Sequence, residues 1–334
     1  MKKYTLYRFR CRNNTRIQTG LGLKTPSDDF IHSDTLFSAI INTFVLLYGQ
    51  EHAENFIEEF ISDHIKISSL FYYADIFKGS SSVAAIEFFP APRIAYDIPV
   101  QTRTNPYISY KVWELMRNDV ADTQDKYSFP SGVLSMNNEF FYHESELPAG
   151  FARSFKQPVQ ESKAEINRLT VQAKKDRTYY QSGFLLSEFT ENGYRVVPGM
   201  YFLADMNSAM EDKFLASLRL LCDEGIGAER SFGKGIMTSV EAGEFQASVK
   251  RKLRMNISLV YPSEKDYPVL DTSLIKYSLI ERGGWSQKGV LKNRVNMIRE
   301  GSLMKDEIAG HIVDVTPQKF TEHRLYQYGK GLYI

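Results

Sequence analysis

The 334-residue sequence has only two cysteines, Cys11 and Cys222. They lie far apart and match no metal-ligand or redox spacing, which excludes a disulfide framework and predicts free thiols in a reducing cytosol. Long hydrophobic runs are missing as well: none reaches the ~18–20 residues a spanning helix needs. Met1-Lys2-Lys3-Tyr4 leads into alternating sequence and not into an apolar stretch, so no signal peptide is expected. These absences predict a soluble, cytoplasmic chain with no membrane partner. Charge of one sign is also scarce. Lys and Arg total 41 against 40 Asp and Glu, a formal +1, so attraction to nucleic acid over the whole surface is not expected. His311 and His323 have no ligand-spaced partners, so neither a metal nor a cofactor is expected.

What is present is ordinary for a globular protein, at 43% hydrophobic and 24% charged, and long enough for two domains. The most informative stretch is Gly225-Ile226-Gly227-Ala228-Glu229-Arg230-Ser231-Phe232-Gly233-Lys234-Gly235. It follows an apolar helical run and precedes Ile236-Met237-Thr238-Ser239-Val240. A loop of this kind brings backbone N–H groups together beside two cations, Arg230 and Lys234, which suits the phosphates of an extended polynucleotide. Nucleotide-cofactor loops follow a strand and open a helix, whereas this one does the reverse. Five residues separate Gly227 from Gly233 and Gly235 occupies the place of the magnesium-binding Ser or Thr, so the Walker pattern fails. The competing reading is a plain helix stop with Gly225 as the C′ residue.

Tyr4–Arg10 alternates with period two and reads as a strand. Gly20, Gly22, Pro26, Asp28 and Asp29 mark a loop. Ser33 can cap a helix to Tyr48 that is apolar on most sides and stopped by Gly49. A second helix follows, with Glu51, Glu54, Glu58, Glu59 and Asp63 outside, and Ile67–Ala74 reads as a strand. Prolines punctuate residues 75–165, where aromatics show no period; this predicts an insertion or extended arm. Tyr179–Phe189 and Gly199–Met206 read as strands, Ser208-Ala209-Met210-Glu211 as a capping box, and Ile236–Phe245 as the closing strand. Without the insertion the order is β-α-β-β-α-β, the ferredoxin-like arrangement shared with RNA-recognition modules. Residues 249–334 are strand-rich, with few helical candidates, and predict a second, smaller α+β unit. Two basic clusters stand out: Lys250, Arg251, Lys252 and Arg254, then Arg282, Lys288, Lys292, Arg294 and Arg299. Trp285 reads as core.

Four segments together resemble a known family. They are Ile31-His32-Ser33-Asp34-Thr35-Leu36-Phe37; Asn167-Arg168-Leu169-Thr170 with Gly183-Phe184-Leu185-Leu186; the glycine loop; and Tyr277–Trp285 with Glu300-Gly301-Ser302 and Asp314-Val315-Thr316-Pro317. In this order they resemble the RAMP superfamily, and within it the Cas5-like subunits of type III-A CRISPR (Csm) effector complexes. Ala228 is a departure, where relatives often have glycine. The resemblance implies an α+β fold of two ferredoxin-like domains of the RAMP type, residues 1–248 with the insertion at about 75–165, and residues 249–334. It implies a non-catalytic subunit that holds the 5′ handle of the crRNA and contacts the large palm-domain subunit and a backbone RAMP subunit, meeting target RNA only indirectly. The expected RNA-binding residues are His32, Ser33, Arg168, Gly225, Gly227, Ala228, Glu229, Arg230, Ser231, Phe232, Gly233, Lys234, Gly235, Arg282 and Lys288.

The alternative is a metal-independent RAMP endoribonuclease, with His32 as an acid–base group beside Ser33 and Lys234. His32 and Ser33 as helix-cap or RNA-contacting residues is the favoured reading, and no catalytic residue is assigned.

Overall fold

The computed structural model describes residues 1–19, 29–98, 106–122, 126–167, 172–248, 253–285 and 289–334. Arg168, Lys288 and the run Lys250, Arg251 and Lys252 therefore lie outside the described residues, as do Gly20, Gly22, Pro26 and Asp28.

Alternating burial along β1 (Lys2–Cys11) marks a strand inside a sheet; a turn at Asn14 leads to β2 (Thr15–Ile17). Helix α1 (Ser33–Tyr48) ends at Gly49, whose φ of 86° accommodates the reversal. Next come α2 (Ala53–Ile61), β3 (Ile65–Ile67), β4 (Phe71–Lys78) and β5 (Ser81–Pro90). The chain continues through β6 (Tyr107–Ser109), α3 (Tyr110–Met116), β7 (Val133–Met136), β8 (Phe140–His143), β9 (Lys156–Asn167) and β10 (Gln172–Leu186). Then follow β11 (Phe189–Glu191), β12 (Tyr194–Met206), α4 (Glu211–Glu224) and β13 (Met237–Ala247).

The main sheet runs β13-β1-β12-β4-β5-β6-β8-β7. Its first four strands, with α1 after β1 and α4 between β12 and β13, are the antiparallel frame of a ferredoxin-like β-α-β-β-α-β unit. Aromatic rings fill the space between helices and sheet: Phe44 stacks on Phe56 at 3.9 Å, and Tyr7 on Phe202 at 5.1 Å. α2, α4 and the C-terminal residues pack against α1 and bury Leu36, Phe37, Ile40 and Phe44, but its last turn is open, with Leu46 and Leu47 exposed.

Three local expectations need correction. Residues 79–193 separate β4 from β12, so the inserted material ends later than 165, and half of it is regular. Strands β5, β6, β8 and β7 widen the sheet, and the aromatics at the end of β5, in β6 and in β8 lack a period because both faces are covered there; Phe88 and Phe89 are both buried. Tyr179–Phe189 falls mostly in β10, which forms a separate sheet β2-β10-β9. Ser208 does not cap α4 from the N-cap position. Met210 occupies that position, and the Ser208 hydroxyl accepts from Met210 N at 3.0 Å and donates to Glu59 at 2.6 Å.

Residues 253–334 form a mixed α+β unit of β14 (Arg254–Met255), α5 (Tyr267–Ser273), β15 (Leu274–Lys276), β16 (Leu279–Arg282), β17 (Val295–Ile298), β18 (Leu303–Met304), β19 (Val313–Asp314) and β20 (Tyr326–Gln327). They pair as β14-β18-β15, β16-β17 and β19-β20. The strands are shorter than their apolar patterns suggest, and α5 carries Pro268 in its first turn, where proline needs no hydrogen-bond partner. Met255, Ile257, Leu303, Tyr328, Leu332 and Ile334 join the main core.

A buried polar seam fixes this unit to the start of α1. Asp34 accepts from Arg282 Nε at 2.8 Å and Nη2 at 2.9 Å, and from Gln327 Nε2 at 2.7 Å. His32 Nδ1 lies 2.9 and 3.0 Å from the Glu300 carboxylate, which also accepts from the Ser69 hydroxyl. Ser33 Oγ accepts from Leu259 N at 3.0 Å, while Ser33 N donates to Ser69 Oγ at 2.8 Å. His32, not Ser33, occupies the N-cap position, and no side chain caps there. Burial pushes the Asp34 and Glu300 carboxyls up, but Arg282 with His32 and Gln327, and His32 with Ser69, outweigh it and hold both below the usual carboxylate range.

Breaking this seam should be costly. Arg282→Ala leaves Asp34 buried and uncompensated, an expected loss of about 3–5 kcal/mol in urea unfolding at neutral pH. A loss no larger than that of an exposed Arg→Ala change would refute the assignment.

The seam also sets a pH dependence. Folded-state pKa values below the unfolded ones mean that stability is fully present above about pH 4 and is lost as pH falls through the folded values. Asp34→Asn and Glu300→Gln should each flatten that acid limb, read from denaturation curves across pH.

Candidate nucleic-acid interface

Helix α4 stops at Gly225 (φ 74°), and the chain then folds back on itself before β13. The backbone amides of the glycine loop do not form an open nest; six of them are spent inside the protein. Gly225 N donates to Leu221 O, Ile226 N to Gly235 O, Ala228 N to Gln18 O, and Gly235 N to Arg16 O, all at 2.8–3.1 Å. Phe232 N and Gly233 N close the single 3-10 turn Arg230–Phe232. Two glycines are sterically required. A Cβ on Gly227 (φ 96°) would lie 2.5 Å from Gln18 O, and one on Gly235 (φ 73°) would collide with Ile226 O.

Charge in this corner is paired. Lys234 Nζ lies 2.7 Å from Glu161 Oε2, 2.7 Å from Glu229 Oε2 and 2.8 Å from Gln18 Oε1. Lys163 reaches Glu229 at 3.3 Å, and Arg16 bonds Glu161. Burial alone would pull the Lys234 ammonium down, but the two carboxylates raise it above the ordinary lysine value. Glu229 sits at φ 58°, a left-handed conformation unusual for a residue with a side chain, and its salt bridges to Lys163 and Lys234 hold it there. The loop, β2 and the β9–β10 hairpin are thus one braced assembly.

Between these three elements lies a cleft of about 370 Å³, lined by Arg12, Asn13, Asn14, Thr15, Arg16, Glu161, Lys163, Phe232, Gly233, Lys234 and Ile236. Phe232 is 75% exposed, and Lys163 Nζ stands 4.9 Å from its ring centroid. Arg12 is exposed and has no ion-pair partner among the described residues. An exposed aromatic face, a free guanidinium and half-neutralised cations can take a base and its phosphate.

The expected site residues therefore divide. Gly225, Gly227, Ala228, Glu229, Arg230, Ser231, Phe232, Gly233, Lys234 and Gly235 form one corner, with Ser231 and Phe232 at the surface. Lys234 is 9% exposed and braces the corner, and Arg230 stands 4.0 Å from Glu224. His32 and Ser33 are 1% and 0% exposed, and Arg282 is committed to Asp34, so all three sit in the buried seam and away from the glycine corner. Trp285, read as core, is 55% exposed. The sequence reading missed Arg12, Asn13, Asn14, Arg16 and Lys163. Arg-Asn-Asn between an alternating strand and Thr15 is a turn signature with a cation, and it was the available signal. No cluster of three or more potential metal ligands occurs among the described residues, and none of their helices is long and apolar enough to cross a membrane.

Bracing predicts a loss of stability. Lys234→Ala leaves Glu161 and Glu229 facing each other and should lower the unfolding midpoint. Gly235→Ala should destabilise by at least about 1–2 kcal/mol from its backbone conformation alone. Wild-type denaturation curves for both variants would disprove the brace.

Comparison with known proteins bears on the family and the fold. Residues 12–238 match the model of the RAMP superfamily, and residues 249–334 match that of the CRISPR Csm4 C-terminal domain. The chain is 24% identical to CRISPR system Cms protein Csm4 of Methanocaldococcus jannaschii, covering 96% of this chain and 94% of that one. It is 26% identical to the protein of the same name from Thermococcus onnurineus, covering 86% of each. Among solved structures, it superposes on a chain of the Csm3-Csm4 subcomplex of the type III-A CRISPR-Cas interference complex with a TM-score of 0.64, at 20% identity and 98% coverage of both. A chain of a Csm1-Csm4 cassette in complex with cA4 gives 0.54 at 16% identity, covering 100% of this chain and 97% of that one. The ferredoxin-like frame, the braced glycine corner and these matches lead to one assignment: the chain belongs to the RAMP superfamily and carries a Csm4-type C-terminal domain.

Proposed function

We propose that this chain is the non-catalytic RNA-binding subunit of a type III-A CRISPR (Csm) interference complex in the cytoplasm. In this reading it holds the 5′ repeat-derived handle of the crRNA, docks to the large palm-domain subunit and a backbone RAMP subunit, and meets target RNA only through them. Residues 1–248 supply the handle site, and residues 249–334 a second, smaller ferredoxin-like unit. The observation that carries the proposal is the cleft between the glycine corner, the Arg12–Arg16 turn and the β9–β10 hairpin, with exposed Phe232 beside Lys163. Arg12 and Arg230 would contact phosphates, and Phe232 would stack on a splayed base. The docking half draws support from relatives of the same type, whose structures are a Csm3-Csm4 subcomplex and a Csm1-Csm4 cassette.

Burial argues against the nuclease alternative. A general acid or base must reach the 2′-hydroxyl within hydrogen-bond range. His32 is enclosed with Glu300, and Lys234 is held between two carboxylates.

The test uses the purified chain and labelled repeat RNA. Arg12→Ala should reduce the slope of log K against log salt by about 0.7, the share of one phosphate contact on a single strand. Phe232→Ala should cost roughly 1–3 kcal/mol of affinity with the slope retained. Unchanged binding in both would reject the cleft, and defined metal-independent cuts lost in His32→Ala would establish the nuclease.

Assembly has its own test. Co-expression with the palm-domain subunit should yield a stable complex, burying more than about 1,000 Å². A chain that elutes alone, with or without crRNA, contradicts the docking half.

A further inference from the structure

The turn Arg12-Asn13-Asn14-Thr15, which lines the cleft at the glycine corner, is closed by its own hydrogen bonds. Thr15 N and Thr15 Oγ1 both donate to Arg12 O, at 3.1 and 2.8 Å. Asn14 sits at φ 64°, in the left-handed region that asparagine tolerates better than most residues. The turn is also tied to the connection between β10 and β11. Glu188 N donates to Asn13 Oδ1 at 3.1 Å, and Ser187 Oγ donates to Asn14 Oδ1 at 2.8 Å. A backbone N–H can only donate, so the first of these bonds fixes which end of the Asn13 amide is the oxygen. Neither Ser187 nor Glu188 lines the cleft, whereas Asn13 and Asn14 both do, and both are exposed. The polar groups these two side chains keep for a ligand are therefore their amino groups, and neither has a partner among the described residues.

Hydrogen-bonding capacity in the cleft is lopsided. Arg12, Asn13, Asn14 and Lys163 all offer N–H groups to an incoming molecule. Acceptors are few: Glu161 is the one carboxylate in the lining, and its two oxygens hold Arg16 and Lys234. Phe232, 75% exposed in the same cleft, supplies a stacking face, and stacking tolerates every base. Discrimination between bases therefore falls to the donors. At about 370 Å³ the cleft lies at the small end of ligand sites, and it suits one nucleotide better than a stacked run. The O4 of uracil and the O6 of guanine are acceptors, whereas cytosine and adenine carry amino donors at the same positions. A keto base satisfies the asparagine amino groups. An amino base sets donor against donor and leaves both unpaired.

We propose that Asn13 and Asn14 read the edge of the base stacked on Phe232 and select a keto base, uracil or guanine, over cytosine or adenine. This selectivity deepens the RNA-binding function proposed above and rests on it, so its test must fail separately from that of the cleft.

Octauridylate and octacytidylate are suitable probes, because the two strands carry the same charge on rings of the same size. Binding of each labelled strand to the full chain is measured over a range of KCl concentrations. Wild type should bind octauridylate at least about fivefold more tightly, with one salt slope for both strands. Asn14→Gly keeps the left-handed turn while deleting the amide, and should bring the ratio down towards one. Asn13→Asp keeps the oxygen that receives Glu188 N and puts an acceptor in place of the amino group. It should shift the ratio towards octacytidylate, whose N4 amino group a carboxylate accepts from. Arg12→Ala, which removes a phosphate contact, should weaken both strands and keep the ratio. Equal affinity of wild type for the two strands, or a preference for octacytidylate, overturns the base readout; the cleft still stands if Arg12→Ala weakens both. A preference for octauridylate that survives in both asparagine variants also overturns it. If Arg12→Ala and Phe232→Ala leave both strands unaffected, the cleft is rejected and the readout falls with it. Should Asn13→Asp not fold, Asn13→Ser replaces it: its hydroxyl can still accept from Glu188 N, and the ratio should fall towards one.

Discussion

Desolvated charge at the start of α1 is the constraint on which the rest of the molecule depends. Asp34 and Glu300 are buried as carboxylates, and each is satisfied from the far side of the chain, by Arg282 and Gln327 in one case and by His32 and Ser69 in the other. Such pairs add little net stability compared with apolar packing, but they penalise every arrangement that separates the partners. The seam therefore acts through geometry. It seats residues 253–334 against α1 and the start of β4, and it fixes the turn Arg299–Ser302, to which Arg93 is hydrogen-bonded.

The glycine corner follows the same logic with weaker burial. Its cleft is lined by four cations, Arg12, Arg16, Lys163 and Lys234, and by Glu161; with Glu229 behind Lys163 and Lys234, much of its positive charge is already neutralised. A chain with a formal charge of +1 overall cannot recruit RNA by field alone. What the corner supplies is shape: a backbone locked by Gly227 and Gly235, an exposed ring, and cations whose positions are set by paired carboxylates. In the RNA-binding role proposed for it, a preorganised surface of this kind favours a particular strand conformation over polyanions in general.

Local chemistry made some of this legible from sequence. The β-α-β-β-α-β order came through because β1, α1, α4 and β13 have one wet side or a glycine stop, and the corner because four glycines in eleven residues are hard to explain otherwise. The inserted strands were hidden, since a strand covered on both faces has no alternation to read, as at Phe88 and Phe89. His32 and Arg282 were misplaced for a different reason. A polar residue at a helix start looks the same in sequence whether it faces solvent or a partner 268 or 248 residues away, as Glu300 and Arg282 are from His32 and Asp34.

That difference also separates Lys234, which the sequence singled out, from Arg12, which it did not. Both are cations near a glycine-rich turn, and composition treats them alike. Lys234 is fixed by carboxylates that arrive from β9 and from its own loop, so its charge is spent before any ligand comes near. Arg12 stands on a turn whose neighbours, Asn13 and Asn14, use their side-chain oxygens to accept from Glu188 N and Ser187 Oγ and leave the guanidinium alone. A cation's availability depends on whether a carboxylate can reach it in three dimensions. Here that is decided by β9, whose Glu161 neutralises Arg16 and Lys234 together, while Arg12 in the cleft lining has no carboxylate partner among the described residues.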